Sequence, residues 1–220
     1  MPQLSIFADF AYFLAIFLLS LNIYIQTRRM HDFSFHRGIR YFRNAFLYFS
    51  MIYLSRFIVL NLQFLNDSTV PDSIITIQSI GLFLVIYFSL LAILSLVSSF
   101  SWKKYKFISD NRLSLFSLFL SAIAFFAKLP SILLVIGIVA AVFLLLKAND
   151  NYKMKRRILT PLFIVYILLV FFILFDLLPT TQELVPFELE LAGYVVSACI
   201  FIYINLKVRK VLETGKDEEK

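Results

Sequence analysis

Residues 74–100 read IITIQSIGLFLVIYFSLLAILSLVSSF, an apolar run without one charged side chain. At about 1.5 Å per residue a helix of this length reaches about 40 Å, more than the roughly 30 Å of hydrocarbon in a bilayer. The run therefore predicts a membrane-crossing helix long enough to tilt. Reading outward from it gives six further spans, at 4–26, 43–65, 113–128, 130–147, 158–178 and 187–206. The expected fold is all-α: a polytopic integral membrane protein, a seven-transmembrane-helix bundle forming one domain over 1–213. A short charged disordered tail, 214–220, is expected to follow. The span 113–128 is short, and a re-entrant pair with 130–147 is the alternative there.

Composition agrees. Of 220 residues, 60% are hydrophobic and 16% charged, against about 45–50% and about 25% in soluble domains. So much apolar surface needs lipid to face. The first ten residues lack a positive cluster, so no cleavable signal peptide is expected. The net charge of +7 does not indicate nucleic acid, because the cations sit in short clusters between apolar runs.

Those clusters set the orientation. Arg28, Arg29, Arg37, Arg40 and Arg43 follow the first span, and Lys103, Lys104, Lys106 and Arg112 follow the third. Lys147, Lys153, Lys155, Arg156 and Arg157 follow the fifth, and Lys207, Arg209, Lys210, Lys216 and Lys220 follow the seventh. The intervening connections hold only Lys128. Such alternation predicts an outside N-terminus, a cytoplasmic C-terminus and a multi-pass protein of the cell membrane. It also predicts anionic inner-leaflet headgroups as partners of the basic loops.

Arg56 is the residue that demands an explanation, because a charge deep in a span costs several kcal/mol unless paired, hydrated or snorkelling. The acids expected in the same leaflet half are Asp9, Asp176, Glu188 and Glu190. An Arg56 pair with Asp9 or Glu190 would form a polar site open to the outside; a structural ion pair or a snorkelling arginine is the plainer reading. Small residues mark expected helix contacts: Ser117 and Ser121 in span four, Gly137 and Ala141 in span five, Gly193 and Ser197 in span seven. They would serve packing within one chain, or a homo-oligomer.

Catalytic signatures are missing. The two histidines, His31 and His36, are five apart and lie between spans, which suits neither a helical metal pair nor a relay. HExxH, CxxC and GxxxxGK[ST] do not occur, so no metal, cofactor or catalytic residue is expected. The lone Cys199 reads as a small buried packing residue. The six prolines avoid span interiors, which argues against the broken helices of many carriers. The expected function is a non-enzymatic, membrane-embedded sensory or assembly subunit working through protein partners. A small-solute transporter or channel around Arg56 is the alternative, and a lipid-modifying membrane enzyme comes third.

Overall fold

The computed structural model describes residues 2–34, 37–65, 72–101, 110–127 and 187–217. It also describes Val135, Ile136, Ile138, Val139, Val142, Phe143 and Leu146, all helical. The described residues form helices α1 (Pro2–Ser34), α2 (Arg37–Leu65), α3 (Asp72–Ser101), α4 (Asp110–Phe126) and α5 (Phe187–Asp217), with no strand among them. Windows in four of these, Phe7–Arg28, Gly38–Leu62, Ile77–Ser99 and Leu191–Lys210, are long and apolar enough to cross a membrane.

Helix α1 shows why. Its inward stripe is Tyr12, Ile16, Ser20, Ile23 and Thr27, each at most 6% exposed, at the three- and four-residue spacing that keeps one helical face aligned. The opposite face carries Phe7, Leu14, Leu18 and Ile25, all exposed. A helix apolar on both faces needs protein on one side and an apolar solvent on the other. The outward faces of α4 (Leu115, Phe119, Phe126) and α5 (Val195, Ile202, Leu206) follow the same rule.

Contacts order the helices α5, α1, α2, α3, α4. Helix α1 runs antiparallel to α2, since Tyr12 meets Tyr53 and Tyr24 meets Arg43. Helix α3 runs antiparallel to α2, with Phe88 on Tyr48 and Gly81 on Val59. Helix α5 runs parallel to α1: Tyr194 lies on Tyr12 and Asn205 on Gln26. Phe201 closes the centre, buried edge-on against Phe46 and Phe49. Helix α4 returns along α3 through Tyr87–Ser114 and Phe83–Phe125. Its Asp110 pairs with Arg40 of α2. That pair is partly exposed, Arg40 by 51% and Asp110 by 34%, and contributes about 0–1 kcal/mol. It fixes which end is which: the termini carrying Arg28, Arg40, Arg43, Arg112 and Lys207 share one end of the bundle, the basic end.

Several expectations change. The first connection, read as a loop over 26–43, is helical through Ser34 and again from Arg37, because backbone hydrogen bonding continues past the apolar window. Helix α5 likewise runs to Asp217, so positions 214–217 of the expected disordered tail are helical. Cys199 is exposed, not buried, since it falls on the outward face of α5. Helix α4, 17 residues long, is shorter than the four candidate spans. The span 158–178, most of 130–147, and 218–220 lie outside the described residues.

Candidate functional site

Arg56 stands six residues before Leu62, the end of the apolar window of α2, about 9 Å inside it at 1.5 Å per residue. One turn earlier on the same helix, Tyr53 offers its ring face, with the guanidinium carbon 5.5 Å from the centroid. From α1, Phe13 offers a second ring at 6.0 Å. Tyr53 is fully buried and Tyr12 is 6% exposed. Their rings meet edge to face, 5.7 Å apart, and their hydroxyls approach to 3.4 Å. Tyr12 then stacks on Tyr194 of α5 at 4.1 Å, 16° from parallel. Three helices thus converge on one layer of phenol and guanidinium groups, away from the basic end.

Magnitudes say what the layer achieves. Each ring contributes about 0.5–1 kcal/mol where solvent reaches the pair, and about 2 kcal/mol where it is dry. Arg56 is half-buried, so the two rings together supply about 1–2 kcal/mol. An arginine at a membrane centre costs roughly 2.5–3.5 kcal/mol on insertion scales, which bounds from above the cost for Arg56, nearer the window's end. The rings orient the guanidinium and supply a large share of that amount.

The expected site residues are distributed as follows. Asp9 is half-buried on α1, one turn before Phe13, so it shares the helix face that meets Arg56. Glu190 stands in the first turn of α5, one turn before Tyr194. Asp176, Gly137 and Ala141 lie outside the described residues. On α4, Ser117 and Ser121 are fully buried, in line with Leu113 and Ala124. Their hydroxyls donate to the carbonyls of Leu113 and Leu118. Ser197 of α5 is buried. Gly193 has no described atom within 4 Å of where a Cβ would stand, so no close backbone approach requires glycine there. Among the described residues no three His, Cys, Asp or Glu side chains come together.

Two polar features were not anticipated. The tyrosine layer was legible only through Tyr53 beside Arg56; the contributions of Tyr12 and Tyr194 depend on how helices pair. An amide cluster also joins α1 to α5, where Gln26 Nε2 donates to Asn22 Oδ1 and to Asn205 Oδ1, each at 3.2 Å. The i, i+4 spacing of Asn22 and Gln26 inside an apolar span was its available signal. Comparison with protein-family models, curated proteins and solved structures finds no match, so chemistry must be argued from these residues. A guanidinium held among phenols can bind an anionic or hydrogen-bond-accepting group; it supplies no activated nucleophile.

Proposed function

We propose that this chain is a seven-helix, multi-pass protein of the cell membrane, with its N-terminus outside and its C-terminus cytoplasmic. It acts without catalysis, as a membrane-embedded sensory or assembly subunit working through protein partners. In this reading the Arg56–tyrosine layer faces outward. Asp9, or Glu190 from α5, supplies the negative charge that the rings leave wanting.

One observation carries the choice of a subunit over a transporter. Between the Arg56 layer and the basic end, the described core is filled by Ile16, Ile23, Phe46, Ile52, Phe201 and Ile204, each at most 2% exposed. A conduction path needs water or ligand at successive depths; these six side chains offer no polar group to either, and the buried hydroxyls of Ser20 and Ser50 are enclosed among them. Packing this dense transmits displacement between helix ends instead.

Cysteine accessibility tests the reading. In a Cys199→Ser background, Ile16→Cys and Phe201→Cys should resist a membrane-impermeant thiol reagent applied from either side. Rapid modification of either would reveal an aqueous path and favour the transporter. For the charge pair, Arg56→Asp should weaken the fold, and adding Asp9→Arg should restore it. If neither single change alters stability and the exchange rescues nothing, the pair does not exist.

A further inference from the structure

Arg43 sits five residues inside the apolar window that opens at Gly38, about 8 Å in from the basic edge. Its neighbour one turn back, Arg40, is engaged with Asp110 on the side of α2 that faces α4. Arg43 points elsewhere, into the seam with α1, where its guanidinium carbon lies 5.7 Å from the centroid of the Tyr24 ring. Its Nε is fully covered, yet the N–H meets no acceptor among the described residues. Protein atoms already enclose that nitrogen, so a ligand would meet the Nη end of this half-buried side chain, and the partner that fits a guanidinium fork best there is a carboxylate or phosphate. Arg28 is exposed one turn beyond Tyr24, on the same face of α1 and at the end of its apolar window. In the other direction that face continues with Leu21 and Phe17, both half-buried, an apolar track running toward mid-membrane.

We propose that Tyr24, Arg28 and Arg43 form a binding site for a phosphate group carrying net negative charge, supplied by the headgroup of an acidic phospholipid. Arg43 grips the phosphate from within the seam, Arg28 closes on it from the edge, and one acyl chain lies along Leu21 and Phe17. The depth supports a lipid source, because a phosphate at the headgroup level would meet both arginines while its chains remain in hydrocarbon. This site is independent of the Arg56 layer, which lies toward the other end of the same two helices.

The test uses the full chain in neutral detergent, with binding followed by native mass spectrometry. The probes are dioleoylphosphatidylglycerol, dioleoylphosphatidylcholine and inorganic phosphate. Phosphatidylglycerol should bind at least about tenfold more tightly than phosphatidylcholine, the scale of a charge-assisted hydrogen bond. Arg43→Gln should weaken it about tenfold or more, and Arg28→Gln about fivefold. Lys210→Gln, a cation removed at the same end but from α5, should do less than either. Equal losses for Arg43→Gln and Lys210→Gln would mean diffuse attraction and overturn the site, as would equal binding of the two lipids. Displacement of the lipid by inorganic phosphate would transfer the site to a free ion and overturn the lipid assignment. Should Arg43→Gln fail to fold, Arg28→Gln, at an exposed position, carries the comparison with Lys210→Gln.

Discussion

Gly81 shows how much one hydrogen atom can matter where helices meet without a hydrophobic drive between them. A Cβ built on it would overlap the Val59 Cγ2 methyl group of α2, so α3 can lie this close only because that position is bare. Contact between helices in lipid rests largely on such approaches. Gly81→Ala should therefore destabilise the bundle by about 1–3 kcal/mol, the usual cost of overpacking. Val59→Ala in the same chain should recover part of the loss, because it removes the methyl that collides. The measurement is a double-mutant cycle on unfolding in detergent, read as a coupling between neighbouring sites. Additive effects of the two substitutions would show that the helices do not pack through this pair. Gly193 provides the contrast: with open space where its Cβ would stand, Gly193→Ala should be nearly neutral. The small-residue pattern in the sequence singles out Gly193, with Ser197 four residues on, and passes over Gly81, since a pattern records residue size and not the neighbour.

At the scale of the helices, the pairing that closes the bundle joins α1 to α5, far apart in sequence and parallel in space. Tyr12–Tyr194 holds one end and Gln26–Asn205 the other. Paired cysteines test that direction in a Cys199→Ser background. Tyr12→Cys with Tyr194→Cys, and Gln26→Cys with Asn205→Cys, should each be joined by a short bifunctional thiol reagent. Gln26→Cys with Tyr194→Cys should not, because fourteen residues of α1 separate the two layers by about 21 Å. Joining of the crossed pair alone would mean that the helices run antiparallel. What the sequence makes legible follows from what each signal encodes. The apolar windows of α1, α2, α3 and α5 announce themselves, because crossing length is a property of one segment. The depth of Arg56 is legible for the same reason. The tyrosine layer and the amide cluster are not, because each exists only after two helices choose a register. Cys199 was misjudged on similar grounds: a small residue in an apolar span suits either face, and only the position of Phe201 fixes which face of α5 turns inward.

For the whole molecule, helix directions constrain the chain between α4 and α5. Helix α4 rises from the basic end, where Asp110 meets Arg40, and its described part reaches the level of Phe83 through Phe125. Helix α5 descends toward the basic end, parallel to α1. If α4 continues to the far side, the segment 128–186 leaves and returns at the far side, so it crosses an even number of times. Two apolar stretches, 130–147 and 158–178, flank Lys153, Lys155, Arg156 and Arg157. Two crossings would bring those cations to the basic end, giving seven in all. No crossing would strand them at the far side, against the tendency of cationic connections to remain cytoplasmic. A re-entrant pair formed by 113–128 and 130–147 would also leave Lys153 at the basic end, so Lys153 alone cannot decide the count. Lys128 can. Under the seven-span proposal, Lys128→Cys should react with an impermeant maleimide only from outside the cell, and Lys153→Cys only from the cytoplasmic side of inverted vesicles. Protection of Lys128→Cys from both sides, with Lys153→Cys still cytoplasmic, would replace the crossings of 113–128 and 130–147 with a re-entrant hairpin and leave that of 158–178. Labelling of Lys153→Cys from outside would remove both crossings and leave a five-helix bundle.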